Sequence, residues 1–246
     1  MKRKITSLTL KILITLTSLI GVILSLIFYK ADSYSHWSKR LLYFTGQSNI
    51  WIGITCLVLS ILIVLSLVKN KDYTKKWLYV LKFIFTISIT ITGIVFCTLL
   101  APNARGQYNA WSLSSLLTHV FTPILAIVDF FVDDYKIIFN KKHIALSLIP
   151  PLLYFIFASV LCVLKVDFGR GDAFPYFFMN YYSPAGVFGF SDVKPFVIGS
   201  FYWIVLLLLL ILGLSALYAS LHPQTRKYKH EQKLLKKQNI NDIKNK

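Results

Sequence analysis

Charged residues are scarce in this chain of 246 residues. Only 15% of the residues are Asp, Glu, Lys or Arg and 56% are hydrophobic, whereas soluble domains carry about 25% charged residues. Acidic residues are the rarest, with 10 Asp and Glu against 27 Lys and Arg. This composition excludes most classes of soluble protein. Because the basic residues lie between long apolar runs, we expect a lipid bilayer as partner and no nucleic acid.

Cysteine and histidine are also rare, which limits the possible chemistry. Cys56, Cys97 and Cys162 all fall in apolar runs, which excludes a disulfide framework and a CxxC metal site. The five histidines form no cluster with each other or with cysteine, and a zinc hydrolase would need about three protein ligands. The GxSxG, P-loop and GxGxxG motifs are missing from the sequence too. We therefore expect neither a metal nor a cofactor.

Long apolar runs dominate the sequence. A helix needs about 20 mostly apolar residues to cross about 30 Å of hydrocarbon. Six runs meet this requirement, near residues 11–29, 41–68, 78–100, 112–132, 144–164 and 197–218. The sequence therefore predicts an all-α polytopic membrane protein, with a six-helix transmembrane domain over residues 1–221 and a basic tail over 222–246.

The first two runs differ from the others in their flanks or their length. The first run follows the basic residues of Met1-Lys2-Arg3-Lys4, as a signal peptide would. No small-residue cleavage pattern comes after it, so we expect a retained helix that acts as an uncleaved anchor. The second is long enough that its first turns are expected to lie at the interface or to tilt.

Basic residues are distributed unevenly between the two sides of the predicted bundle. With six spans both termini lie on one side, and 20 of the Lys and Arg, Lys11 and Lys82 among them, fall on that side against 7 on the other. The positive-inside rule then places both termini in the cytoplasm. We expect the membrane to be the plasma membrane. We expect the tail to be either a frayed helix or disordered, and to be attracted to anionic lipid.

The longest outer connection, residues 165–196, is rich in Gly, Pro, Phe and Tyr. Aromatic rings favour the level of the lipid headgroups, so we expect this loop to lie at the outer interface. There it would be either a simple cover over the bundle or the wall of a lipid-shaped pocket.

The fourth run contains two ionisable residues, His119 and Asp129. The two share a helix face but lie about 15 Å apart along the axis, so we expect Asp129 to form an ion pair or helix-end contact with the segment 133–142. Pro123 is expected to kink the helix just after His119, because proline removes a backbone hydrogen bond. The polar positions of this run follow the spacing of one helical stripe and are Ser115, Thr118, His119 and Thr122.

A second polar stripe, Thr45, Ser48 and Asn49, opens the second run. Thr45 lies about 6 Å and His119 about 10 Å into helices that run the same way, so the two residues are expected at similar depth. A hydroxyl beside an imidazole is the minimal nucleophile–base pair. Spacing gives no clear third member, although Asn49 and Ser48 are candidates. Such residues also serve as hydrogen-bonding contacts between membrane helices, and polarity alone leaves both interpretations open.

Three motifs in order resemble a known family. Phe44-Thr45-Gly46-Gln47-Ser48-Asn49 resembles its FT-x-x-SN element, His119-Val120-Phe121-Thr122-Pro123 with Asp129 resembles its H-x-x-x-P-x5-D element, and Pro175-Tyr176-Phe177 resembles its third patch. The family comprises the six-helix androgen-induced and androgen-dependent membrane proteins and their bacterial "Pr-six-Pr" branch. The likeness extends from about residue 40 to 190 and is closest to the bacterial branch.

The resemblance implies a threonine hydrolase, because the animal members cleave fatty acid esters of hydroxy fatty acids. It implies Thr45 as nucleophile, His119 as base and an acyl-chain ester as substrate, although the animal activity does not imply the bacterial substrate. Backbone N–H groups near Gly46, or Ser48 and Asn49, would stabilise the oxyanion. The candidate substrate-binding residues are Ser48, Asn49, Ser115, Thr122 and Tyr176.

Two other functions fit the same composition. A non-enzymatic lipid-binding or assembly protein predicts that Thr45 and His119 are packed with no cavity between them. A small-solute carrier predicts a polar path from the outer site to Asp129. No pattern in the sequence specifies an oligomeric state.

Overall fold

The protein is described here by a computed structural model that covers residues 2–104, 109–133, 137–169, 171 and 173–244. Its described residues form helices and loops, with one isolated antiparallel bridge between Phe190 and Ile198. Six helices are long and apolar enough to cross a membrane, which confirms the all-α fold with six candidate spans. We number them spans 1 to 6: Arg3–Ile27, Phe44–Lys69, Lys76–Leu100, Leu113–Val132, Lys141–Val163 and Ser200–Leu221.

The long second run is divided near its start. Residues Trp37–Leu42 form a 3-10 helix, Tyr43 is extended, and the α-helix begins at Phe44. The first turns of this run therefore lie apart from the spanning helix, and Thr45 falls in the first turn of span 2.

Span 3 is the most enclosed of the six helices and contacts spans 2, 4, 5 and 6. Several of its hydroxyls bond within the helix itself: Ser88 donates to the carbonyl of Ile84, and Thr92 donates to the carbonyl of Ser88. Hydrogen bonding to the carbonyl four residues back lets a helix rich in Ser and Thr lie in an apolar interior.

Span 4 changes its helical type before Pro123. Its α-helical start, Leu113–Leu116, passes into a π-helical turn over Leu117–Phe121 and returns to an α-helix over Thr122–Val132. Pro123 has no N–H to donate, and a wide π turn is a common way for a helix to absorb such a break. The disturbance predicted at Pro123 therefore takes the form of a π turn, with His119 at its centre.

The connections between spans 1 and 2, 3 and 4, and 5 and 6 meet at one end of the bundle, which we call the loop end. There the N–H of Ser35 donates to the carbonyl of Gly169 at 2.7 Å, and Nζ of Lys39 donates to the carbonyl of Asp167 at 2.6 Å. The other end, where the chain termini lie, is called the terminal end. After a bend at His222 the tail continues as a helix over Pro223–Lys244, so of the two alternatives expected for the tail the structure shows the helix.

A buried ion cluster joins spans 1, 3 and 4 at the terminal end. Nζ of Lys82 lies 2.5 Å from Oδ2 of Asp129, and Nζ of Lys11 lies 3.2 Å from Oδ1 of the same residue. Asp133 contacts both lysines, at 2.9 and 2.7 Å. The ion pair predicted for Asp129 is therefore confirmed, but its basic partners come from spans 1 and 3; residues 134–136 of the 133–142 segment lie outside the described residues.

The cluster corrects the sequence-based assignment of two lysines. Lys11 and Lys82 were counted with the charges flanking the spans, but both lie inside helices and are fully or almost fully buried. Burial alone would raise the pKa of Asp133, but the Lys82 and Lys11 ammonium groups hold it well below its usual range. The two lysines and two aspartates of the cluster can therefore lie in an interior where an unpaired charge would be strongly unfavourable.

Candidate functional site

Thr45 lies at the loop end, where the first N–H groups of a helix have no partner within the helix. The side chain of Tyr43, the residue before the helix, does not cap it. The phenol of Tyr176, from the loop between spans 5 and 6, instead faces both the backbone N–H and the hydroxyl of Thr45. This loop therefore helps to hold the start of span 2.

The π turn of span 4 directs the ring of His119 toward Thr45. The ring stacks on Phe96, with centroids 3.8 Å apart, and its Nδ1 lies 3.0 Å from the carbonyl of Ser115 and 3.1 Å from the hydroxyl of Thr118. A carbonyl only accepts hydrogen bonds, so we assign the proton of the neutral ring to Nδ1. Nε2 is then an acceptor.

Thr45 and His119 meet although 74 positions separate them in sequence. The Thr45 hydroxyl lies 3.2 Å from Nε2 of His119, within the reach expected of a nucleophile and its base. With the proton on Nδ1, the hydroxyl donates to Nε2, which is the direction needed for proton removal. The similar depth predicted for the two residues agrees with this contact.

The pair opens into a cavity at the loop end, which we call the chamber. Its volume is about 750 Å³, and Thr45, Gly46, Ser115, His119 and Tyr176 contribute to its wall. The guanidinium of Arg40 also lines the chamber; it is paired with the carboxylate of Asp32 and lies 4.3 Å from the ring centroid of Tyr34.

A second, apolar cavity also reaches Thr45. This groove of about 100 Å³ lies between spans 2, 3, 5 and 6, and it shares Thr45, Leu100 and Tyr176 with the chamber. Its wall includes Leu207, Leu208 and other aliphatic and aromatic side chains. The Thr45 hydroxyl therefore lies where a wide chamber with polar groups meets a narrow apolar groove.

Tyr176 separates the two cavities. Burial raises the pKa of its phenol to about 12, although its contacts with Thr45 act in the opposite direction. The phenol is therefore protonated near neutral pH and can donate a hydrogen bond. Its ring is held by stacking on Phe178, with centroids 5.0 Å apart, and by an edge contact with Tyr43 at 5.7 Å.

No family model, curated protein or solved structure matches the chain. The family resemblance of the three motifs remains a prediction.

Three of the predicted substrate-binding residues lie behind the chamber wall. Ser48, Asn49 and Thr122 are fully buried, and none of them lines the chamber. The hydroxyl of Ser48 lies 2.9 Å from that of Thr92, and Thr122 donates to Thr17 at 2.9 Å. These side chains join helices. The carbonyl of Ser115 holds Nδ1 of His119, whereas the described hydrogen bonds of Ser48 and Asn49, the two candidates for a third member, go to other groups.

Sequence reasoning missed several residues that shape the site. Phe96 supports the imidazole from span 3, and Arg40 brings a cation to the chamber. No spacing rule relates Phe96 to His119, since they lie on different helices. Arg40 had a visible signal, because it is a charged residue at the edge of an apolar run.

A separate cavity of about 640 Å³ opens at the terminal end and reaches Ser7 and Asp133. It shares no described lining residue with the chamber. Five side chains with no exposed surface form a small apolar cluster within spans 1 to 4: Ile14, Ile52, Cys56, Ile89 and Ala126. The polar path expected of a solute carrier stays a prediction.

Proposed function

We propose that this protein is an intramembrane hydrolase of lipid-type esters that uses Thr45 as nucleophile and His119 as base. The observation that carries the proposal is the 3.2 Å contact between the Thr45 hydroxyl and Nε2 of His119 at the junction of two cavities. A non-enzymatic protein would be expected to pack these groups without a cavity.

The reaction is an acyl transfer in two steps. The Thr45 oxygen attacks the ester carbonyl while Nε2 of His119 takes its proton; the ester C–O bond breaks, and the proton passes to the leaving alcohol. Water then attacks the acyl-threonine, His119 takes a proton from the water, and the Thr45 oxygen receives it as the acid leaves.

Two donors near Thr45 suit the oxyanion of these steps. The first backbone bond of span 2 runs from the N–H of Gln47 to the carbonyl of Tyr43, so the N–H of Gly46 precedes the helical ladder and has no acceptor within the helix. The protonated phenol of Tyr176 faces the hydroxyl oxygen of Thr45. Donors held in place before the reaction are the main source of such stabilisation.

The two cavities suggest how an ester would lie. The apolar groove suits the acyl chain, which must end at the Thr45 oxygen, and the chamber suits the alcohol part. Tyr182, which lines the chamber, and Phe190 of the same loop are strongly exposed, as expected at the headgroup level. The substrate would therefore come from membrane lipids. We further propose that the loop end faces outward across the plasma membrane and that the termini are cytoplasmic.

The test is covalent labelling of the detergent-solubilised protein with a fluorophosphonate probe, together with hydrolysis of a long-chain ester. Thr45→Ala and His119→Ala are each expected to reduce the rate by at least about a thousandfold, as for other nucleophile and base variants. Thr55→Ala is the control, because Thr55 is a buried threonine of the same span that bonds only to its own helix. Undiminished labelling of both site variants would contradict the mechanism.

A further inference from the structure

Asn49 connects the backbones that carry the two reactive side chains. Its side-chain amide donates to the carbonyl of Thr45 at 2.9 Å and to the carbonyl of Thr118 at 3.1 Å. Thr118 directly precedes His119. One amide group therefore joins the nucleophile's residue on span 2 to the base's neighbour on span 4.

The π turn explains why the carbonyl of Thr118 needs an outside donor. In this turn the N–H of Thr122 donates to the carbonyl of Leu117. The next bond of the same register would run from residue 123 to Thr118, and residue 123 is proline, which has no N–H. A buried carbonyl without a donor destabilises the fold. Asn49 supplies the missing hydrogen.

We infer that Asn49 is a positioning residue that sets the distance between the Thr45 oxygen and Nε2 of His119; this inference rests on the proposed hydrolase function. Asn49 is fully buried and does not line the chamber, so it acts through the two backbones and does not touch the substrate. Misplacement of reacting groups by 1 Å can cost about a hundredfold in rate.

The experiment separates positioning from folding. In purified full-length protein, active-site labelling by the fluorophosphonate probe gives two quantities: the fraction of molecules that label at saturation, and the rate constant for those that do. A purely structural role lowers the fraction, whereas a positioning role lowers the rate constant. The variants are Asn49→Ala and Asn49→Asp, and the second keeps the side-chain size but can donate at most one hydrogen.

The matched control is Thr17→Ala. Thr17 accepts a hydrogen bond from Thr122, so this variant also removes an interhelical bond to span 4, but one in which neither Thr45 nor His119 takes part. Both Asn49 variants are expected to label at least about tenfold more slowly per active molecule, and kcat should fall for ester hydrolysis while KM stays within about twofold. Thr17→Ala should label at the wild-type rate.

Several outcomes would overturn the inference. It is wrong if the Asn49 variants label at the wild-type rate and only the labelled fraction falls, or if Thr17→Ala slows labelling equally. Asn49→Asp decides the question when Asn49→Ala does not fold. Failure of the proposed function has a different signature, since Thr45→Ala would then label as fast as the wild type whatever the Asn49 variants do.

Discussion

The carbonyl of His119 lies against Gly93, at a place where no other residue would fit. A Cβ on residue 93 would lie 2.9 Å from that carbonyl oxygen and 3.1 Å from Cβ and Cγ of Pro123. Span 3 can therefore pack directly on the π turn only because residue 93 has no side chain. This contact fixes how closely the π turn that carries the imidazole packs on span 3.

Gly93→Ala should displace the π turn and reduce both stability and ester hydrolysis. The backbone carbonyl and the proline ring cannot rotate away, so the clash must move a helix. Gly213→Ala is the matched control, because a Cβ there meets nothing within 4 Å and alanine is favoured over glycine in a helix by about 1 kcal/mol. Thermal unfolding in detergent and the hydrolysis rate measure the two effects. A Gly93→Ala protein as stable and active as the wild type would refute the close contact.

Tyr176→Phe should lower kcat by about a hundredfold with little change in KM, since loss of one oxyanion donor costs about that much. The ring packing on Phe178 is retained in this variant. The control is Tyr181→Phe, which removes a hydroxyl from the same loop that bonds to Ser159 at 2.7 Å and does not line the chamber. Equal activity of the two variants would exclude Tyr176 from the reaction.

The pKa of Tyr176 adds a pH test. Because burial raises it to about 12, the phenol keeps its proton across the alkaline range in which an ordinary tyrosine loses it. Wild-type hydrolysis should therefore show no loss from this group between about pH 9 and 11, the range around the usual tyrosine pKa. The expectation is wrong if the hydrolysis rate of the wild type falls near pH 10 and that of Tyr176→Phe does not.

The apolar groove should set the length of the acyl chain. Leu208 lines it, and Leu208→Trp is expected to shorten the longest chain cleaved. Exclusion of two methylene groups would cost about 1.6 kcal/mol, or more than tenfold in kcat/KM, while short-chain esters should be cleaved as before. Leu209→Trp is the control, because Leu209 lies next to it in sequence but is 60% exposed on the outer face of the bundle. An unchanged chain-length profile for Leu208→Trp would contradict this role.

The buried ion cluster should contribute strongly to stability. Asp129→Asn leaves Lys11 and Lys82 with one carboxylate, and breaking a buried pair on one side costs about 3–5 kcal/mol. Lys227→Met removes the exposed pair with Glu231 and should change stability by at most about 1 kcal/mol. Denaturant unfolding in detergent measures both. An equally small change in unfolding free energy for the two variants would show that the cluster does not stabilise the fold.

Acid should weaken the same cluster only at very low pH. The lysines hold the pKa of Asp133 well below its usual range, so its contribution is full above the pKa of an unfolded aspartate and is lost as pH falls toward the lower folded value. Unfolding free energy measured from pH 7 downward should therefore decline below about pH 4, and the decline should be smaller in Asp133→Asn.

Much of this molecule follows from the sequence. Runs of about 20 apolar residues predict the six helices, because a helix satisfies its own backbone in lipid and the length of a run sets its reach. Helical spacing also places Thr45 and His119 at similar depth, and the charge bias predicts which side holds the termini. These are local properties, or sums along the chain, so no knowledge of packing is needed.

Only the tertiary structure decides which side chains meet. The sequence does not relate Lys11 and Lys82 to Asp129, since the three lie on different helices and their rotation about the helix axes is set by packing. For the same reason Ser48, Asn49 and Thr122, polar and well placed by spacing, face neighbouring helices and not the chamber. The π turn at His119 depends on Pro123 together with Gly93 of another span. Spacing gives depth along an axis, but packing between helices gives direction, and a catalytic pair needs both.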